Sequence, residues 1–82
     1  MPADQALLHI ASLLDEPGET IGSIRLNRLL GAMPRYGERR TGRLLTSLDF
    51  TPLRQQRRVR ELTERELGAV AAALRMKARS RR

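Results

Sequence analysis

The sequence contains no cysteine and only one histidine. Without cysteine, the chain can form neither a disulfide framework nor a thiolate metal site. A single histidine cannot build a zinc site when no thiolate is available to complete the ligand set. We therefore expect a protein that folds without covalent cross-links and that holds neither a metal nor a cofactor.

Aromatic and lysine side chains are almost as scarce. One tyrosine, one phenylalanine and no tryptophan offer few platforms on which single-stranded bases could stack. The only lysine, Lys77, is the only side-chain amine that a lyase could use as a nucleophile. Asp49, an acid near the basic segment, has no evident catalytic partner. We therefore expect no enzymatic activity and assign no catalytic residue.

No apolar run is long enough to span a membrane. Asp4 lies where a signal peptide would carry lysine or arginine. The sequence therefore predicts a soluble cytoplasmic protein without a membrane partner.

Charge is the most informative property that is present. The 82 residues carry a formal net charge of +7, distributed unevenly. Residues 1–24 contain four acidic and no basic residues, whereas residues 25–82 contain all 16 basic residues and five acidic ones. Such asymmetry predicts a polyanionic partner for the second part. Fifteen of the basic residues are arginine, which suits bidentate phosphate recognition, although a GC-rich genome would give the same preference.

Periodic apolar residues predict a small all-α domain. We expect a first helix over residues 4–16, a second from Gly22 or Ser23 to Met33, a third over residues 38–47 and a last helix capped by Thr63 and Glu66 in a capping box. This pattern and the distribution of charge divide the chain into an acidic leader helix and turn (1–20), a basic helical domain (21–76) and a basic flexible tail (77–82). The acidic first helix could instead face a protein partner through residues 4–16.

A tight turn between the second and third helices is the first candidate site. Proline ends the second helix after Met33, and Gly37 can adopt the positive φ that reverses the chain. The first N–H groups of the third helix attract phosphate, and arginines beside them add charge. The predicted contacts here are Arg35, Gly37, Arg39, Arg40 and Arg43.

A second candidate site follows a short helical turn that Thr51 caps and Pro52 begins. Residues 53–60 contain four arginines and only two apolar residues, without helical periodicity. The pattern predicts an exposed loop whose Arg57, Arg58 and Arg60 contact a polyanion, although a solvated charge run without a partner would have the same composition.

Three motifs in order resemble a known family. Residues 29–37 (LLGAMPRYG), 48–52 (LDFTP) and 57–62 (RRVREL) are similar to the pattern LLEALPKVGKVKA…LEIAPTRRLRGL of the actinobacterial integration host factor family. Residues 33–37 and 62–66 (LTERE) also resemble the YGIGK turn and LTEEE helix start of a ribosomal protein of the bacterial small-subunit head. The resemblance covers roughly 50 of the 82 residues and implies a helix–two-turns–helix fold with a helix-hairpin-helix-like turn.

The resemblance also implies a function. It predicts a nucleoid-associated protein that binds double-stranded DNA with low sequence specificity and acts in nucleoid organisation, site-specific recombination or transcription. The turn residues would contact the DNA backbone, and Arg57, Arg58 and Arg60 would approach the minor groove. DNA bending is implied as well, with Pro34 or Tyr36 as a candidate apolar wedge. The alternatives are a structured-RNA-binding protein of ribosomal type and a protein-interaction module.

Overall fold

The computed structural model of the protein describes residues 3–33 and 37–79. These two ranges are mostly helical and contain no β-strand, which confirms the all-α class. The elements are α1 (Ala3–Asp15), α2 (Gly18–Gly22), α3 (Leu26–Gly31), α4 (Gly37–Ser47), α5 (Pro52–Gln55), a 3₁₀ turn (Val59–Glu61) and α6 (Glu64–Arg79).

The core is a single cluster to which both ends of the described chain contribute. Leu7 and Leu14 of α1 are buried in the same cluster as Val70 and Leu74 of α6. The Arg75 guanidinium also forms an ion pair with Asp15 at the end of α1. The acidic helix is therefore integral to the fold, because it covers the apolar side of α6.

The predicted second helix is interrupted, and its predicted start at Gly22 or Ser23 was wrong. α2 ends at Gly22, and α3 begins only at Leu26. Between them, Arg25 is extended, with φ −70° and ψ 140°. The segment leaves the helical conformation because its backbone pairs with a distant part of the chain: the Leu26 N–H donates to the Arg57 carbonyl at 2.9 Å.

α4 has specific signals at both ends. Gly37, its first residue, has φ +73°, as the sequence predicted. Thr41 completes the buried face and donates its hydroxyl to the Gly37 carbonyl at 2.9 Å. After the helix, Asp49 adopts φ +65°. The Phe50 N–H reaches back to the Leu45 carbonyl at 3.0 Å, forming a Schellman end with its characteristic apolar contact.

The arginine-rich segment is more structured than the predicted exposed loop. Thr51 caps α5 as expected, accepting the Arg54 N–H at 3.2 Å. Val59, however, is completely buried at the start of the 3₁₀ turn. The prediction of a loop with little to bury was wrong, because one apolar side chain among the arginines fixes the segment to the core.

α6 begins as predicted and ends later than predicted. The Glu66 N–H donates to the Thr63 hydroxyl at 3.1 Å, and the Thr63 N–H donates to the Glu66 carboxylate at 3.0 Å, which confirms the capping box. Helix α6 continues to Arg79, so residues 77–79 belong to the helix rather than to a flexible tail. Its narrow apolar stripe extends to Ala78, which packs on the core.

Candidate nucleic-acid interface

The start of α4 presents exposed arginines. Arg39, Arg40 and Arg43 are all exposed, since Thr41, Leu44 and Leu45 direct the opposite side of the helix into the core. Arg39 and Arg43 form no ion pair within residues 3–33 and 37–79. The first N–H groups of the helix have no intrahelical partner and add partial positive charge. Arg35, also predicted to contact nucleic acid, lies outside the described residues.

A single antiparallel β-bridge places Arg25 opposite Arg58. We call the two short segments that it joins, residues 24–26 and 57–59, the ribbon. The Leu26 N–H donates to the Arg57 carbonyl and the Val59 N–H to the Ile24 carbonyl, each at 2.9 Å. In an antiparallel pair, this pattern makes Arg25 and Arg58 a non-hydrogen-bonded pair, the arrangement that brings opposite residues closest.

The two guanidinium groups of this ribbon are held by main-chain carbonyls. Arg25 Nη1 donates to the Gln56 carbonyl at 3.0 Å, and Arg58 Nη1 lies 3.5 Å from the Ser23 carbonyl. Each side chain therefore crosses the opposite segment diagonally, so the guanidinium groups point toward opposite ends of the ribbon. Neither has a carboxylate partner within the described ranges. Their remaining N–H donors are available to two separate anionic groups.

Two other arginines of this segment, Arg57 and Arg60, differ in whether they form an ion pair. Arg57 forms an exposed ion pair with Glu61 at 3.4 Å. The Arg58 N–H, and secondarily the Arg57 guanidinium, lower the pKa of Glu61 below its ordinary value. Arg60 is exposed and forms no ion pair within the described part of the chain, while its Cβ packs so closely that a methyl group on Gly22 would lie 3.3 Å away.

Arg54 has a structural partner. Its Nε donates to Glu66 Oε2 at 3.1 Å, and its Nη2 donates to Glu66 Oε1. The guanidinium, followed by the Thr63 N–H, lowers the pKa of Glu66 to about 2. This bidentate pair joins α5 to the first turn of α6 and so holds the segment that leads to Arg57 and Arg58.

An open cleft lies between α3, α4 and α5. It has a volume of about 590 Å³ and is lined by residues of these helices and by Ala32, which follows α3: Asn27, Arg28, Gly31, Ala32, Thr41, Gly42 and Gln55. Arg39 lies three residues before Gly42 and is therefore its neighbour on the helix surface. On the other wall, Gln55 directly precedes Gln56, whose carbonyl holds Arg25. Residues that line the cleft are thus near neighbours along the chain of Arg39 on one wall and of Gln56 on the other.

Arg25 and Arg28 were absent from the residues predicted to contact nucleic acid. The arginines of the turn and of the loop are evident in the sequence, but no sequence pattern indicates that the two groups lie close together. Arg25 approaches Arg58 through backbone pairing over more than 30 positions, and Arg28 lines the cleft. We use the name interface arginines for the six exposed arginines of this region that lack an ion pair within the described residues: Arg25, Arg28, Arg39, Arg43, Arg58 and Arg60.

Other kinds of site are not found in the described part of the chain. Residues 3–33 and 37–79 contain no group of three or more histidine, aspartate or glutamate side chains that could hold a metal ion. Over the same ranges, no helix has both the length and the apolar character needed to cross a membrane.

The comparisons with known proteins found no relative. No protein-family model, no curated protein and no solved structure matches the chain. The functional argument therefore depends on the geometry of the site and on the motifs in the sequence.

Proposed function

We propose that this protein binds double-stranded nucleic acid through its sugar–phosphate backbone, without catalysis and with low sequence specificity. The interface arginines supply six positive charges, none of which forms an ion pair with a carboxylate of the described residues. Arginine donates several N–H groups in a geometry that suits phosphate oxygens. Among the described residues, the exposed side chains at the start of α4 are arginines, and we expect their contacts with phosphate to supply most of the affinity.

The observation that carries this proposal is the pairing of Arg25 with Arg58. Like charges at opposite positions of a ribbon repel each other. Neither guanidinium forms an ion pair with a carboxylate of the described residues, and the Arg58 charge acts only at longer range on the nearby Glu61. A polyanion lying along the ribbon would remove the repulsion and use the free N–H donors of both guanidinium groups. The arrangement is therefore expected of a phosphate-binding surface.

The choice of DNA follows from the resemblance to the actinobacterial integration host factor family. On that basis we propose duplex DNA as the natural partner, with backbone contacts at the turn and minor-groove contacts at Arg58 and Arg60. The proposed cellular setting is the nucleoid, in DNA organisation, recombination or transcription. Structured RNA would use the same phosphate contacts, so direct competition between DNA and RNA duplexes must accompany every binding measurement.

The test compares two double variants on a random-sequence DNA duplex by fluorescence anisotropy. Arg25→Gln/Arg58→Gln removes the opposed pair of the ribbon. Arg65→Gln/Arg79→Gln removes the same net charge from exposed positions of α6 that form no ion pair within the described residues. We expect the first variant to lose roughly tenfold or more in affinity and the second to lose less than about threefold, because only the first removes direct phosphate contacts.

Equal losses in the two variants would show that attraction depends on net charge alone and would contradict the assigned interface. If wild-type protein binds an RNA duplex more tightly than a DNA duplex, the proposed partner would be RNA and not DNA. Wild-type protein that binds neither duplex at low salt would overturn the proposal.

A further inference from the structure

We infer that the cleft between α3 and α4 holds one phosphate group of the bound strand, contacted by Arg28 and by the side-chain amide of Asn27. This inference rests on the proposed function and deepens it, because it places the path of the strand. The strand would leave the arginines of α4, cross the cleft and continue to the ribbon of Arg25 and Arg58.

The hydrogen bonding of Asn27 is the first observation. Its Oδ1 is shielded from solvent and has no hydrogen-bond partner, and it is the sole buried side-chain atom in this condition within the described residues. An unsatisfied buried carbonyl lowers stability. The amide nitrogen, in contrast, forms no hydrogen bond within the described ranges and is not among the buried atoms. Asn27 therefore offers an unused N–H₂ donor at the wall of the cleft.

The charge of the cleft is the second observation. Arg28 lines it, is exposed and has no ion pair within the described residues. Among the residues whose side chains the structure describes, none that lines the cleft is acidic. A guanidinium and an amide N–H₂ on consecutive residues are two donors without an acceptor of their own. They suit an anion that carries several oxygens, which a backbone phosphate provides.

The glycines of the cleft are the third observation. A Cβ added to Gly31 or Gly42 would meet no atom within 4 Å, so close packing of the protein does not explain the small residues. Gly42 lies in the interior of α4, where glycine lowers stability relative to residues with side chains. Open space at both helices of the hairpin lets a sugar–phosphate chain approach the backbone closely, which larger side chains would prevent.

Filling the cleft tests the inference without removing charge. Gly42→Leu places a side chain in the cleft, where an added Cβ meets no atom within 4 Å. Ala72→Leu is the control, because Ala72 is an exposed residue of α6 that does not line the cleft. The first change favours the helix and the second exchanges two good helix formers, so both variants should melt close to or above the wild-type temperature. We expect Gly42→Leu to weaken binding to a DNA duplex at least tenfold and Ala72→Leu to leave it within twofold of wild type.

A second variant keeps the test decisive if Gly42→Leu does not fold. Asn27→Leu removes the unsatisfied carbonyl together with the N–H₂ donor, so we expect an unchanged or higher melting temperature and at least fivefold weaker binding. A purely structural role for Asn27 would instead lower the melting temperature and leave the affinity of the folded protein unchanged.

The outcomes separate the two proposals. If wild-type protein binds duplex DNA and both Gly42→Leu and Asn27→Leu bind equally well, the cleft assignment is wrong and the proposed function stands. If wild-type protein binds an RNA duplex but not DNA, and the two variants lose affinity for the RNA duplex, the cleft assignment stands and the choice of DNA is wrong. Wild-type protein that binds neither duplex overturns both.

Discussion

Gly37 shows how a single residue determines the geometry of the hairpin. Its φ of +73° lies in the left-handed region, where a side chain costs roughly 1–2 kcal/mol. We predict that Gly37→Ala lowers the free energy of unfolding by about this amount in thermal or urea denaturation. Gly42→Ala is the matched control in the same helix, where φ is not positive, and it should raise stability by up to about 1 kcal/mol. A neutral Gly37→Ala would contradict the conformation described for the turn.

Asp49 is a non-glycine residue whose backbone is in the left-handed conformation. It has φ +65°, which glycine adopts without strain, and its negative charge lies at the C-terminal end of the α4 dipole. We therefore predict that Asp49→Gly raises the free energy of unfolding by about 0.5–1 kcal/mol, despite the greater flexibility of the unfolded chain. In a domain of this size, that gain corresponds to a melting temperature roughly 2–8 °C higher. A lower melting temperature would indicate that the Asp49 side chain stabilises the Schellman end.

At the scale of elements, the Glu66 carboxylate joins three parts of the fold. It accepts from Arg54 of α5 and from the N–H of Thr63, and it lies in the first turn of α6. Its pKa in the folded protein is about 2, below the ordinary value of 4.5. Because the folded pKa is the lower one, ionised Glu66 stabilises the fold above about pH 4.5, and this contribution disappears as the pH falls toward 2.

The corresponding prediction concerns the melting temperature as a function of pH. Between pH 4.5 and about 2, the melting temperature of wild-type protein should fall more steeply than that of Glu66→Gln, which has lost the titrating group. Glu64→Gln, a change in the same helical turn, should retain the steep fall. Parallel curves for wild type and Glu66→Gln would show that the ion pair with Arg54 does not couple to folding.

Elements with local signals were predictable from the sequence, whereas elements fixed by distant contacts were not. The apolar periodicity and the capping residues gave α1, α4 and α6 to within a few positions, because those signals lie inside each helix. The break before Leu26 depends on two hydrogen bonds: the Leu26 N–H donates to the Arg57 carbonyl, and the Ile24 carbonyl accepts from the Val59 N–H. No sequence pattern near Arg25 indicates that its backbone pairs with a segment more than 30 positions away. The second helix was therefore predicted too long, and the ribbon was not predicted.

The candidate site follows the same division. Composition identified the arginine clusters, and the structure shows Arg39, Arg43, Arg58 and Arg60 exposed. Sequence reasoning could not distinguish Arg57, which pairs with Glu61 at the surface, from its neighbour Arg58, which faces Arg25. Nor could it find the cleft, since the lining residues come from three elements and only their packing brings them together.

At the scale of the whole molecule, α1 supplies part of the single core. Leu7 is 1% exposed in the shared core with α6, so we predict that Leu7→Ala lowers the free energy of unfolding by about 2–5 kcal/mol. This is a large part of the 5–15 kcal/mol typical of a small domain. Leu8→Ala, at a position 44% exposed on the same helix, is the control and should cost much less in urea denaturation. Similar losses at both positions would contradict the described orientation of α1.

The same packing limits the protein-interaction alternative. A partner that docks on residues 4–16 could reach only the outer face of α1, which presents Gln5, Leu8, His9 and Ser12. Deleting the helix to test such docking would remove part of the core as well. Substitutions on the outer face are the suitable test, and they should leave the affinity for a duplex unchanged.

The salt dependence of duplex binding tests the central claim most directly. If each of the six interface arginines neutralises one phosphate, the logarithm of the affinity should fall against the logarithm of the salt concentration with a slope of roughly −5. Arg25→Gln/Arg58→Gln should make the slope shallower by about 2, whereas Arg65→Gln/Arg79→Gln should leave it close to the wild-type value. An affinity that hardly changes with salt, or equal slopes for both variants, would contradict the account.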